Sequence, residues 1–572
     1  MRNNQVSFSW SRLPLLILLS ISSFAIVAGN SLAEVWTVRM NPQAPPAQLF
    51  QGMGSLHHPI TTTSAEAQKF FDQGLVLFYA FNFDEAARSF IQASQLDPSA
   101  PMPYWGIALV LGPTYNTGIY NTASREKAGV AAIQKAKKLA AANGVPEIER
   151  AYVDALSRRL SDSPQPDLKA LENSYIQSMR ELSRKFLDDP DAGTLYAESM
   201  MDLRPYQLWT YDGKPAENTL EIVSILEKVL NRWPDHPGAN HFYIHALEAA
   251  PLPEPERALA SSKRLETSVP AAGHLVHMPA HIYYRLGDFG SAIRVGLEAV
   301  AADRIYLRDR TISNDSYVMV YAEHNLYFLV AAANMAGDFQ TAQKSAEELE
   351  SQIRQMLPNW PDSESFLLTK TFVLLRFAHW DDVLATPAPD ASRPGLAYFW
   401  HFARGCAFAG KGLAKQAQAE RSVMDKISAN FVMSRMYGMF ERWGTLDALA
   451  TRELDARIAM AGKIGPRAIE LWRAAVARED QADRDGYYRE PPLWYHPMRE
   501  SLGAALLRGG NAPEAEKVFR EDLSRNPGNP RSLFGLWKAL EAQKKTDEAD
   551  KTRLMVDAAW KGDPKQLSIE DF

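Results

Sequence analysis

The sequence predicts an all-α, right-handed solenoid of stacked helical hairpins with some non-consensus helical segments, and three observations carry that prediction. From Ala65 onward, apolar residues recur at helical spacing almost to the C-terminus. A frame of about 34 residues, marked by small residues, an aromatic and a closing proline, returns along the chain. No alternating apolar–polar run bounded by turn residues interrupts the pattern.

The elements before Ala65 are not helical hairpins. Arg2 and Arg12 precede the apolar run LPLLILLSISSFAIVAG, followed by the small-residue sequence Ser31-Leu32-Ala33. That order predicts a signal peptide over residues 1–33, cleaved after Ala33. The run is short for a membrane span and broken by serines. The cleavage site carries no cysteine for a lipid anchor, and no later run is long enough to cross a bilayer. The expectation is a periplasmic or secreted bacterial protein with no stable membrane insertion after cleavage. Residues 34–64, containing MNPQAPPAQ and SLHHPITTTS, are rich in Pro, Gly and Thr and predict an extended arm packed against the array.

The solenoid occupies residues 65–572, with clear repeats near 65–112, 237–345, 397–428 and 496–560. In the first, Gly74, Ala86, Phe90, Ala93 and Pro98 fall at positions 8, 20, 24, 27 and 32 of the frame. Small residues at 8 and 20 let the two helices of a hairpin approach closely. The aromatic at 24 fills the gap to the next hairpin, and the proline stops the second helix. Near the C-terminus Leu502, Gly503, Leu506, Ala515, Phe519 and Pro527 repeat the register, and Gly405 with Ala417 mark a weaker copy. These positions resemble the tetratricopeptide repeat, a helix–turn–helix unit that stacks into a superhelix. Tyr115–Pro190 and Ser428–Pro492 depart from the pattern and predict non-consensus helices.

Composition removes several function classes. A net charge of −6, with no Lys/Arg run, gives no footprint for nucleic acid. A single cysteine, Cys406, excludes an internal disulfide framework and any cysteine-built zinc or iron–sulfur site. No phosphate-loop, dinucleotide, G-x-S-x-G or H-E-x-x-H signature is present.

The chemistry concentrates between Asn240 and Asn325, which hold six of the twelve histidines: His241, His245, His274, His277, His281 and His324. Spacings of three and four put such side chains on one helix face. In the repeat frame His241, His245 and Glu248 take positions 5, 9 and 12. His274, His277 and His281 take 2, 5 and 9, and His324 takes 2 of the next unit. At about 100° per residue these positions form one stripe of the first helix in each hairpin. By resemblance to tetratricopeptide proteins, that stripe lines the concave groove. A lone histidine is usually a hydrogen-bonded structural residue, but six on the same stripe of three consecutive hairpins predict a metal site. Packed helices lie about 8–10 Å apart, a gap that facing imidazoles bridge through one ion. Pro279 cannot sit inside a helix without losing a bond. It fits if its helix starts near His277, which would leave His274 in the preceding loop.

A set of six imidazoles and one carboxylate suits zinc, copper or iron, not calcium or magnesium. Seven donors exceed what one tetrahedral ion needs, which leaves room for two metals. Glu248 is then a bridging ligand or a catalytic general base. His57 and His58, just before the first repeat, are further candidate ligands if the arm folds into the groove, and a loop pair otherwise. His236, His379, His401 and His496 read as structural. The alternative function is a scaffold that takes a peptide or protein in the groove without metal. LHHPI, HALE and HMPAHIYYRLGDF together resemble a group of secreted bacterial tetratricopeptide proteins. That resemblance implies export and a repeat fold, and implies no activity.

Overall fold

The computed structural model describes residues 46–116, 123–308, 317–433, 435–437, 441–463, 465–485 and 490–572. The predicted signal peptide lies outside them. Residues 46–64 run without helix along the first hairpin. From Ala65 the chain is a succession of helical hairpins, beginning with Ala65–Tyr79 and Phe83–Leu96 and ending with Pro530–Ala542 and Thr546–Ala559. The fold is therefore an all-α array of tetratricopeptide-like hairpins. The non-consensus segments are helical too, as in Ala123–Ala140, Glu147–Ser157 and Leu168–Lys185. One feature was not expected. Within 428–492, Met436–Tyr437 pairs antiparallel with Glu441–Arg442. Among the described residues no helix is long and apolar enough to cross a membrane.

The repeat chemistry works as the sequence suggests. An ideal Cβ on Gly74 or on Gly106 would meet the Phe90 ring at 2.7 and 2.5 Å, so one aromatic wedges between two glycines of successive hairpins. Phe519 does the same between Gly503 and Gly535, at 2.5 and 2.2 Å. Side chains of Ser64, Asn82, Asp288 and Asp338 accept from backbone N–H groups and start the second or first helix of their hairpins. Gly287 and Gly337, at φ of +80° and +83°, end the first helices of the histidine-bearing hairpins in the left-handed conformation.

The array bends back on itself. The Pro237–Glu248 helix touches Ala65–Tyr79, and the Glu323–Ala336 helix touches Pro530–Ala542. The turn at Gly287 seats so closely on Pro527 that an added Cβ would lie 2.0 Å from its carbonyl oxygen. This closure covers most of the histidine stripe and leaves His324 half-buried. His241 and His277 are 0% exposed, and His245, His274 and His281 no more than 4%. A peptide lying along the groove would not reach them.

Gly238 is where the first hairpin meets the first histidine helix. An ideal Cβ there would stand 2.4 Å from the Tyr79 ring. Gly238→Ala should lower stability by about 1–3 kcal/mol. A denaturant midpoint unchanged from the parent would contradict that packing.

Candidate metal centre

Three first helices bring the histidines together. Pro237–Glu248 supplies His241, His245 and Glu248 one turn apart. The next hairpin differs from expectation, because His274 is not in a loop. Gly273–His277 is a separate helical turn carrying His274 and His277, and Pro279 opens Pro279–Leu286, which carries His281. Pro279 thus takes the first position, where its missing N–H is harmless. His324 follows a π-helical turn, Val318–Ala322, at the start of Glu323–Ala336.

The six rings form two triads. Nitrogens of His241, His245 and His274 lie within 4.8 Å of one another, as do those of His277, His281 and His324. In the first triad His241 Nε2 is 3.0 Å from His245 Nε2. In the second, His277 Nε2 is 2.7 Å from His281 Nε2 and 3.1 Å from His324 Nε2, and the last two are 3.4 Å apart. Three nitrogens around a tetrahedral zinc at 2.0–2.1 Å stand roughly 3.3 Å apart. The triads adjoin, with the His245 and His281 rings 5.9 Å apart.

The far ring nitrogens explain why the near ones converge. His241 Nδ1 lies 2.5 Å from the Tyr79 carbonyl, which can only accept, so Nδ1 carries the proton. Neutral His241 therefore presents a bare Nε2 lone pair. Glu248 faces His245 Nδ1 with Oε1 at 2.8 Å and His281 Nδ1 with Oε2 at 2.7 Å, tying the two triads together. Glu490 also contacts His281 Nδ1. With Nδ1 donating to a carboxylate, neutral His245 too turns its lone pair toward His241 Nε2, and two lone pairs facing at that distance favour a cation between them. In the first triad a proton is a poor candidate for that cation. Burial holds His241 and His324 down at about 3, and pushes His245, His274 and His277 well below the ordinary range. His281 differs. Burial lowers it, but Glu490 and Glu248 outweigh burial and hold it at about 10, so its Nε2 carries a proton toward His277 Nε2 that a bound metal would displace. Burial and the Glu490 charge push Glu248 well up, whereas burial of Glu490 is outweighed by His281, which holds it down.

Aromatic rings wall the centre. Phe81, held at a φ of 57°, packs 4.4 Å from His241 and stacks on His274 at 5.3 Å. Tyr115 lies 5.0 Å from His245, and Tyr321 4.9 Å from His274. Phe328 stacks on His281 at 4.7 Å. Tyr79, Phe81, Tyr115 and Glu490 escaped sequence reasoning. They come from the first hairpin, the loop after the next helix and a Pro-rich segment far along the chain, so no local spacing could signal them.

His57 and His58 lie apart from the six. His57 is exposed and bonds Asp72. His58 is buried with Nδ1 2.8 Å from Asp191, whose other oxygen accepts from Tyr79 Oη and from His236 Nε2. His58, Asp189 and Asp191 are close enough to share an ion, but both Asp191 oxygens are already engaged. The cluster pins the arm to Tyr79, whose carbonyl holds His241. His236 also caps its helix, accepting from the Ala239 N–H. Burial lowers His58, yet Asp191 outweighs it and holds the ring at about 9. A raised histidine contributes stability that is complete below about 6.5 and is lost as pH rises through 9. That contribution is about 3 kcal/mol. Denaturant midpoints at pH 6.5 and 9.5 should therefore diverge more in the parent than in His58→Gln. An equal fall in both would contradict the ion pair.

The other histidines bond locally: His379 to Asp382, His401 to Glu420, and His496 to the Pro497 carbonyl and Glu453. Asp202 pairs with buried Arg159, Tyr206 Oη donates to Asn116, and Trp209 Nε1 donates to the Ala246 carbonyl. Cys406 is buried, and burial pushes its thiol well up, as befits an inert core residue.

No protein-family model matches the chain, and no curated protein matches it in sequence. Among solved structures, yeast Tom70 is similar at 11% identity over 88% of this chain and 94% of its own, with a TM-score of 0.27. The P58(IPK) TPR domain is similar at 12% identity over 85% and 100%, with a TM-score of 0.21. A human IFIT1 dimer with PPP-AAAA is similar at 13% identity over 87% and 91%, with a TM-score of 0.29. At those values the likeness carries no functional argument, and the fold class rests on the succession of hairpins itself.

Proposed function

We propose that the protein is an exported tetratricopeptide-like metalloprotein whose two histidine triads each hold a transition-metal ion, zinc, copper or iron, in one reaction centre. It belongs on this reading with the secreted bacterial repeat proteins that share its LHHPI and HMPAHIYYRLGDF stretches. The observation that carries the proposal is the convergence of three imidazole nitrogens in each triad, with Nδ1 of His241, His245 and His281 facing a carbonyl or a carboxylate. Metal-bound histidines are oriented in this way by hydrogen bonds from the distal nitrogen. Three protein ligands per ion leave a position open, the arrangement of catalytic rather than purely structural sites. Such an ion supplies Lewis acidity or an activated water, and copper or iron would add redox chemistry. Glu248, gripping a ligand of each triad, is assigned as the carboxylate that orients both and is available to take a proton. The scaffold reading finds less support at the histidines, because the array closes over them.

Chelator-competition titration of the mature protein tests the proposal. Binding should saturate at about two equivalents of one of these metals, given three imidazoles per ion. Saturation below half an equivalent for zinc, copper and iron alike would overturn it. Export is tested separately by fractionation, with a mature N-terminus at Glu34 expected in the exported pool.

A further inference from the structure

Beside the histidines lies a cavity of about 1020 Å³, large enough for a drug-sized organic molecule. Its walls include the rings of Tyr206, Trp209, Tyr284, Tyr327 and Trp494. Two of them back onto the centre. Tyr206 packs 5.2 Å from Tyr115, which packs on His245, and Tyr284 packs 5.4 Å from Phe328, which stacks on His281. Pro491, next to Glu490, is also in the wall.

One cation stands out there. Arg285 lies four residues beyond His281 on the same helix, so it continues the His277–His281 stripe by one turn, about 5.4 Å. Its Nε donates to the Glu248 carbonyl and its Nη2 to the Ala250 carbonyl. Among the described residues no carboxylate pairs with it. The other lining arginines differ: Arg204 pairs with Glu217, Arg499 with Asp480 and Glu521, and Arg525 with Asp480, while Arg484 is exposed. Of the four lining acids, Glu479 is engaged by the Met498 N–H, Asp522 by Ser532 and Asn529 and Asp485 by Gln481, and Asp483 and Asp485 are exposed at the rim. A half-buried guanidinium that donates only to uncharged carbonyls favours an incoming anion, and its planar fork matches a carboxylate.

We infer that this cavity is a binding site for an aromatic carboxylate, with Arg285 holding the carboxylate and the tyrosine and tryptophan rings flanking the body, one helical turn from His281. The inference rests on the metal-centre reading for its role as a substrate chamber, but the binding itself does not require metal. The probe is 2-naphthoate, with 2-naphthamide as its uncharged match, followed by calorimetry on the full mature protein with metal content measured in parallel. 2-Naphthoate should bind at least tenfold more tightly than the amide. Arg285→Gln should abolish that preference and leave the naphthamide affinity, helical content and metal content unchanged, while Arg285→Lys should retain part of the preference. Equal affinity for acid and amide, no binding of either, or a preference that survives in Arg285→Gln would overturn the site. Anion binding by protein that takes up none of zinc, copper or iron on reconstitution would leave the site standing and remove the metal-centre reading alone.

Discussion

His277→Ala should take the bound metal from about two ions per chain to about one, because it removes one of three ligands from one triad and none from the other. His245→Ala should do the same to the other triad, and the double variant should bind none. Helical content should hold in each, since these side chains face the centre and the hairpin-packing positions are untouched. His401→Ala, whose ring bonds Glu420, should bind as the parent does. Elemental analysis of untagged protein prepared without chelator reads the result. Full metal in His277→Ala, or loss in His401→Ala, would show that the triads are not the ligands.

Glu248→Gln should act on metal affinity through position alone. The carboxylate faces two Nδ1 atoms, one with each oxygen. A glutamine oxygen can accept from only one of them, and its NH2 confronts the other. That second ring must turn to the tautomer whose Nδ1 accepts, which places a proton on the Nε2 that would bind metal. Losses of 10–100-fold are usual when such an orienting partner is removed. Competition titration should therefore show one of the two binding phases weakened by that factor, while Glu248→Ala should weaken the His245 triad more, because Glu490 still faces His281 Nδ1. Two unchanged phases in either variant would mean that Glu248 orients nothing.

The fold was legible in the sequence to the extent that helix packing is local. Phe90 and Phe519, each wedged between two glycines, can be read from spacing because a hairpin and its neighbour are consecutive in the chain. The six histidines were legible for the same reason. Their grouping into two triads was not, since it depends on how three hairpins stack and on the break that Pro279 introduces between His277 and His281. Closure of the array was equally hidden. It brings Tyr79 and Phe81 from the first hairpin and Glu490 from the C-terminal half against the same rings. Those contacts join residues distant in sequence, and periodicity carries no information about them. His57 and His58 show how adjacency in sequence differs from adjacency in space. Neighbours in the chain, they suggested a ligand pair, whereas the alternation of an extended arm sends one ring to solvent and the other to Asp191.

The central claim is that two ions sit where the imidazole nitrogens of the two triads converge. Crystals of the metal-loaded protein, with anomalous data collected at the absorption edge of the bound metal, test it most directly. The account predicts two anomalous peaks per chain, one ligated by His241, His245 and His274 and the other by His277, His281 and His324. A fully loaded crystal with peaks only at surface residues, or with a single ion spanning the two triads, would contradict it.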